Sequence, residues 1–282
     1  MRGPLTDAED PTRVGFLGSW MESAGQRRHD RNGFVTALAV RALRRQDIAM
    51  PDAKLDAMLD ALERCRSPGA GYGFWAPCAR PEWAPQLPDD ADDTAIMTLE
   101  LHAAGRLSRE EARRIACLSI GRHRIARLPL LRPPWLRTGV FATWHRRGIA
   151  LDLIDCTAIA NALAAFAALD LHDIPGVRIS TAMLRDAVAW AGNDETRACS
   201  LSPFYPEPAE FVLALQHAVE AGADDLIPVH AAAAQTPWGR DAETRATRDD
   251  HRVCSSPYGF AVWRSPALAR IRAGAARFPD PT

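Results

Sequence analysis

The chain has 282 residues, of which 47% are hydrophobic and 24% charged, and its formal net charge is −1. A chain of this length can bury a substantial core, and its composition is ordinary for a globular protein. The balanced charge gives no electrostatic indication of a nucleic-acid or anionic-membrane partner.

The cysteines and the start of the chain favour a cytoplasmic protein with reduced thiols. Six cysteines are widely spaced without a CxxC pair, and residues 1–10 lack the apolar stretch of a signal peptide. No run approaches the roughly 20 apolar residues that a membrane span needs. Of the 34 basic residues only Lys54 is a lysine, and the abundant arginine suits recognition of phosphate or carboxylate.

Glycine-containing stretches that end in an aromatic residue recur along the chain. They lie at 14–20, 71–75, 139–144 and 258–263, with a weaker copy at 202–206. The aromatic residues are 55, 69, 61 and 58 residues apart, at Trp20, Trp75, Trp144, Tyr205 and Trp263. This spacing fits repeated units of two helices and two loops.

Two kinds of helix are predicted to alternate along these units. Apolar helices with a polar first residue are predicted at 32–43, 92–101, 155–164 and 207–215, and amphipathic helices at 53–66, 109–121 and 181–190. Helices that are apolar all round belong inside a protein, and amphipathic ones belong outside. The expected fold is therefore all-α, an α/α toroid: a barrel of helical hairpins with inner and outer rings. We expect one domain at 1–274 and a C-terminal tail at 275–282.

No set of strands is predicted. The apolar segment 128–136 is interrupted by Pro129, Pro133 and Pro134. Because proline breaks regular structure, this segment is predicted to be a loop.

The strongest chemical signal is a cluster of four carboxylates in five residues, directly before the second apolar helix: Asp89, Asp90, Asp92 and Asp93. Asp92 precedes Ile96 and Leu99 by four and seven residues, so its side chain is expected to point where the apolar residues point. Like charges this close cannot all ionise in a dry site, so at least one carboxyl is expected to keep its proton near neutral pH. A protonated carboxyl in an apolar cavity can act as a strong general acid.

The residues 90–94, Asp-Ala-Asp-Asp-Thr, resemble the DxDD motif of class II terpene cyclases, such as squalene-hopene and bacterial diterpene cyclases. The glycine–aromatic stretches are similar to degenerate copies of that superfamily's glutamine–tryptophan repeats, and 155–163 is similar to helices of its barrels. The resemblance implies that Asp92 protonates an alkene or epoxide while Asp90 and Asp93 hold its geometry. It also implies aromatic side chains that stabilise a carbocation. The candidates are Phe74, Trp75, Trp83, Phe141, Trp144 and Trp263.

The resemblance further implies an isoprenoid or other apolar small-molecule substrate that is cyclised or isomerised. No cofactor is expected, apart from Mg²⁺ if the substrate carries a diphosphate. Class II sites usually lie between two helical barrels, and this chain has residues for one. A partner helical domain or a homo-oligomer is therefore the macromolecular partner to consider, and nucleic acid is not expected.

Other interpretations of the acidic cluster stay open. Asp89, Asp90 and Asp93 fit the DDxxD pattern by which class I terpene synthases bind Mg²⁺. Four aspartates can also cap a helix and favour its positive end without any catalytic role. A toroid can, in addition, be a non-catalytic module that holds a lipid or a protein partner. A closed, aromatic-lined chamber with Asp92 at its wall favours the enzyme over this module.

Weaker signals come from scattered polar residues. Asn161 and Glu100 lie within apolar helices, where either can orient a carboxylate across the ring or form a local hydrogen bond. Asp250, His251 and Cys254 are close in sequence, as the ligands of a zinc-dependent prenyltransferase-like site would be. Candidate contacts for a diphosphate are Arg240, Arg245, Arg248 and Arg252.

Overall fold

The computed structural model describes residues 14–48, 50–69, 71–84, 87–145 and 153–275, without the side chain of Tyr258. Most of the tail predicted at 275–282 lies outside these residues. The helices are α1 (Gly33–Arg45), α2 (Asp52–Arg64), α3 (Ala91–Ala103), α4 (Arg109–Ile115), α5 (Cys156–Ala168), α6 (Val177–Ala191), α7 (Glu195–Cys199), α8 (Pro208–Glu220), α9 (Ile227–Gln235), α10 (Ala242–Ala246) and α11 (Pro266–Arg272). The strands are β1 (Gly18–Ser23), β2 (Gln26–Arg31), β3 (Arg252–Ser255) and β4 (Ala261–Arg264).

The apolar helices α1, α3, α5 and α8 form an inner row. Each packs on the next, and α10 and α11 connect α8 back to α1. The helices α2, α4, α6 and α9 pack on the outside of this row. The inner helix α5 is buried because it carries apolar residues on all sides.

Polar residues begin the inner helices, as the sequence predicted for their first positions. Asn32 caps α1, Asp90 caps α3 and Asp155 caps α5, each accepting hydrogen bonds from backbone N–H groups of the first turn. The helix α8 instead begins with Pro208, whose missing N–H costs nothing at this position. The N-termini of all four inner helices lie on the same side of the molecule, which is the side of the candidate site.

The all-α prediction is wrong, because a four-stranded antiparallel sheet with the order β2-β1-β4-β3 accompanies the helices. The sheet joins the two ends of the described chain, with Met21 opposite Trp263. Its strands have four to six residues, and β2 is polar throughout, so no alternating apolar pattern marks them. Two of the glycine–aromatic stretches are therefore partly strands, namely 14–20 and 258–263.

The turn between β1 and β2 also lacks the usual sequence signal. Ala24 and Gly25 both have positive φ, 48° and 74°, as a two-residue hairpin turn requires. Glycine adopts this conformation freely, whereas alanine rarely does. The loop predicted at 128–136 is confirmed. No helix of the described residues is both long and apolar enough to cross a bilayer.

Candidate active site

Three of the clustered aspartates lie at the buried N-terminus of α3. Asp90 is the N-cap residue, and its Oδ1 accepts a hydrogen bond from the backbone N–H of Asp93 at 2.7 Å. Asp92 and Asp93 lie in the first turn of α3, which packs between α1 and α5. Only 7% of Asp92 and 1% of Asp93 is exposed. Helix capping therefore accounts for Asp90 but not for the two buried carboxyl groups that follow it.

Both oxygens of Asp92 have side-chain partners from other helices or loops. Asn161 of α5 donates a hydrogen bond from Nδ2 to Oδ1 at 2.8 Å. The hydroxyl of Tyr205, in the loop before α8, donates to Oδ2. These two contacts span the inner row and fix the orientation of the carboxyl group.

A buried polar network continues behind Asp92. The side-chain oxygen of Asn161 accepts a hydrogen bond from Arg41 Nη1 at 3.0 Å. Arg41 also pairs with Glu100 at 3.2 Å, and Glu100 pairs with Arg44 at 2.6 Å. Of the two polar residues noted within apolar helices, Asn161 thus orients a carboxyl group across the row, whereas Glu100 binds two arginines of α1.

Burial has the largest effect on the pKa values of these aspartates. It raises the pKa of Asp92 well above its usual value, and the charges of Asp90 and Asp155 raise it further. Burial and the charge of Asp90 raise the pKa of Asp93 in the same direction. Burial also raises the pKa of Asp90 to about 7 and that of Asp155 to about 6. These directions agree with the expectation that the cluster retains protons near neutral pH.

Asp93 differs from Asp92 in its partner. Its closest polar interaction is with the neighbouring carboxyl group of Asp90, which raises the pKa of Asp93 and opposes the rise in the pKa of Asp90. An ionised carboxylate beside a second acidic group is costly to bury, so the neutral form of Asp93 is favoured.

The carboxyl groups face a cavity of about 130 Å³, here called the aromatic chamber. Asp90, Asp92, Asp93 and Asp155 all line it. Five of the six predicted aromatic residues also line it, namely Phe74, Trp75, Trp83, Trp144 and Trp263. Further aromatic lining comes from Phe34, Phe204 and Tyr205.

Phe141 is the predicted aromatic residue that lies elsewhere. It is fully buried and stacks on Phe166 with ring centroids 4.8 Å apart. Its backbone N–H donates to the hydroxyl of Ser180 on α6. The structure does not bring Phe141 into the chamber lining, because this ring packs in the core between α5 and α6.

One residue of the sheet holds two of the chamber tryptophans. Asp30 of β2 accepts a hydrogen bond from the indole N–H of Trp75 at 3.0 Å and from that of Trp263 at 2.7 Å. It also accepts a hydrogen bond from Asn32. With their N–H groups engaged, both indoles can present apolar surface to the chamber. Trp83 packs edge-on against Trp75 and is 52% exposed, so it lies at the edge of the chamber.

Several site residues were missed or left without a role in the sequence analysis. Tyr205 was noted only as the aromatic of the weakest repeat, and its contact with Asp92 spans 113 residues. Asp155 shares the pattern Asp-x-Thr-Ala-Ile with Asp92, and this pattern places both residues near the start of an inner helix, although Asp155 is an N-cap and Asp92 lies in the first turn. Asp30 gave no signal, because its strand was not predicted.

A second cavity of about 410 Å³ lies on the other side of Tyr205 and Asn161. Arg41, His217 and Arg272 contribute to its lining, together with apolar residues of α1 and α8. Phe34 and Tyr205 line both cavities and therefore separate them. The hydroxyl group that contacts Asp92 thus belongs to a residue that borders a more polar space.

The residues of the alternative interpretations are placed differently. Asp89 bonds to the hydroxyl of Ser67 and does not line the aromatic chamber, so the DDxxD residues do not share one cavity. His251 contacts Glu207 and Glu210 through its two ring nitrogens, at 2.9 and 2.7 Å. Both nitrogens are therefore engaged, and Cys254 instead lines the chamber. Among the described residues no cluster of three or more His, Cys, Asp or Glu side chains has the geometry of a metal site.

The candidate diphosphate contacts lie away from the acidic residues. Arg245, Arg248 and Arg252 line a separate pocket that includes neither Asp92 nor the aromatic residues. Arg248 pairs with Asp250 and Arg252 with Glu207. Arg240 is exposed.

Comparisons of the chain with protein-family models, with curated proteins and with solved structures found no match.

Proposed function

We propose that the protein is an acid catalyst of the class II terpene cyclase type, in which Asp92 protonates an alkene of a prenyl-type substrate. The observation that carries this proposal is the position of one carboxyl group, buried at the wall of an aromatic chamber with a donor on each oxygen. The proposal covers cyclisation or isomerisation of an isoprenoid in the cytoplasm.

The contacts of Asp92 suit proton donation into the chamber. Asn161 and Tyr205 each contact one oxygen and hold the carboxyl group in place at the wall of the chamber, where its proton can reach a bound substrate. Its transfer forms a C–H bond from the alkene π electrons and leaves a carbocation. The carboxylate that remains is stabilised by the Asn161 amide and by the charge of Arg41 behind it.

The chamber suits the steps that follow protonation, in which the carbocation is stabilised and then loses a proton. The faces of Trp75, Trp144 and Trp263 are candidates to stabilise the cation, which then loses a proton to give an isomerised or cyclised alkene. If that proton leaves with water, Asp92 must be reprotonated. The Tyr205 hydroxyl contacts Asp92, and its residue borders the second cavity, so it offers a route that avoids the chamber.

The size of the chamber limits what reacts inside it. A cavity of about 150 Å³ holds one benzene molecule, so the 130 Å³ here suits a single prenyl terminus. The remainder of a longer substrate would pass the exposed Trp83. The acid itself requires no cofactor, and Mg²⁺ would serve only a substrate diphosphate.

The test is to incubate the protein with prenyl diphosphates of several lengths, with and without Mg²⁺, and to analyse the products by mass spectrometry. Asp92→Asn is expected to abolish turnover while circular dichroism and melting temperature hold, because burial favours the neutral form of Asp92, which asparagine resembles. Asp89→Asn is the matched control and should retain activity, since Asp89 does not line the chamber. An unchanged rate for Asp92→Asn would refute the proposal. Substrate binding without any product would favour the non-catalytic module.

A further inference from the structure

The loop between α4 and α5 exposes two neighbouring leucines. Leu130 and Leu131 are 97% and 96% exposed. No other large apolar side chain of the described residues approaches this exposure, the next being Phe260 at 74%. Two adjacent leucines in water are unfavourable by the hydrophobic effect, so their exposure indicates a surface that covers them.

Hydrogen bonds and side-chain packing hold the base of this loop, so the two leucines extend from an ordered segment. Ile125 and Val140 pair through their backbones, with a hydrogen bond of 2.9 Å. Trp135 is 3% exposed and packs against Trp190 of α6. Arg132 donates to the carbonyl of Pro129 at 3.0 Å across the tip. Leu130 and Leu131, here called the leucine tip, therefore project from an ordered support.

The stretch of the loop that carries the leucine tip has basic but no acidic side chains. Between Glu111 and Asp152 the sequence has no acidic residue, although the whole chain is nearly neutral. The exposed arginines that surround the tip are Arg122, Arg124, Arg127, Arg132 and Arg137. Of these, Arg137 forms an ion pair with Asp186. No ion pair involves the other four within the described residues, so their charges are available to an anionic surface.

A cleft of about 420 Å³ at the foot of the tip adds to this pattern. Its lining residues are Leu128, Arg132, Leu136, Arg137, Thr138 and Ile179. Guanidinium groups beside apolar side chains suit a phosphate group joined to an acyl chain.

We infer that the leucine tip and its arginines bind the surface of a bilayer that contains anionic phospholipids. The leucines would enter the boundary between headgroups and acyl chains, and the arginines would contact lipid phosphates. The net charge of the whole chain does not reveal this basic surface, because acidic residues in other parts of the sequence balance it. Binding at this surface does not depend on the chemistry proposed for Asp92.

The test is co-sedimentation of the purified protein with vesicles of phosphatidylcholine alone and of phosphatidylcholine mixed with phosphatidylglycerol. The protein should bind the mixed vesicles, and binding should weaken as salt screens the arginines. Replacing both leucines, Leu130→Ser with Leu131→Ser, should weaken binding about tenfold or more, since two apolar anchors are lost. Arg127→Gln with Arg132→Gln should weaken binding chiefly at low salt.

Matched control variants distinguish vesicle binding through this surface from non-specific binding. Ile227→Ser removes a half-exposed apolar residue on α9, and Arg270→Gln removes an exposed charge on α11, so neither should change vesicle binding. The leucine variant should keep its melting temperature, because its side chains make few contacts. Asp92→Asn should bind vesicles like the unaltered chain, so failure of one proposal is distinguishable from failure of the other.

Three results would overturn the inference. The first is absence of binding to the mixed vesicles, and the second is equal binding by the leucine variant. The third is a lipid-free dimer that the leucine substitutions dissociate, because that outcome would assign the tip to a contact between protein chains.

Discussion

At the scale of single residues, Tyr205 connects the acid to the more polar side of the protein. Its hydroxyl contacts Asp92, and the residue lines both cavities. If it returns a proton to Asp92, Tyr205→Phe should lower kcat about a hundredfold and leave KM little changed. Steady-state kinetics would measure both.

The control for Tyr205 is another buried tyrosine. Tyr72 is 1% exposed, lies outside the chamber lining and has a pKa raised by burial to about 12. Tyr72→Phe should therefore leave kcat unchanged. Equal losses in the two variants would indicate a packing role for Tyr205 rather than a role in proton transfer.

Asp93 should make the protein less stable as the pH rises. Its folded-state pKa is raised, so between about pH 4 and that pKa the folded state binds more protons than the unfolded state. The free energy of unfolding therefore falls through this range. Asp93→Asn removes this contribution and should raise the free energy of unfolding at pH 8, with little effect at pH 4.

Denaturant unfolding at the two pH values measures this difference. Asp47→Asn is the control, because Asp47 is exposed and asparagine tolerates its positive φ of 49°. An Asp93→Asn variant that loses stability at pH 8 would contradict the account of Asp93 as a neutral buried acid.

At the scale of elements, the sheet acts on the site through Asp30. This residue of β2 accepts hydrogen bonds from Trp75, Trp263 and Asn32, which belong to three separate parts of the chain. Asp30→Ala should lower the free energy of unfolding by about 2–4 kcal/mol, because the indole N–H groups lose their partners. Chemical denaturation monitored by tryptophan fluorescence would show this, with Asp249→Ala on an exposed turn as a control.

The inner helices were predictable from the sequence, whereas the sheet was not. The helix α5 is apolar on all sides and begins with Asp155, so its position and burial follow from local signals. The strand β1 pairs with β4 across more than 200 residues, and the turn at Ala24 lacks the usual asparagine or glycine pair. Local patterns do not encode such distant pairing.

At the scale of the whole molecule, the sequence located the acidic cluster but not its partners. Asp92 and four of the chamber's aromatic residues were identified because they belong to recognisable motifs. Tyr205 and Asp30 were not, because their roles depend on which parts of the chain meet. Phe141 lies outside the chamber lining because a repeat position does not specify the direction of a side chain.

The location of the chamber also depends on the whole fold. Its walls come from the starts of α3 and α5, the loop before α8, and the strands β3 and β4. The N-terminal and C-terminal parts of the described chain meet in the sheet, which completes the wall that holds Trp263. The site is therefore assembled only when all these elements are in place.

The central claim is that Asp92 keeps its proton at neutral pH. It is tested most directly by NMR of protein labelled with ¹³C at the aspartate carboxyl carbons, with the Asp92 signal assigned by its loss in Asp92→Asn. We expect a carboxyl shift typical of the protonated form at pH 7, because burial and neighbouring charges raise the pKa of Asp92 well above its usual value. A signal that titrates near pH 4, as an ordinary aspartate does, would contradict the account.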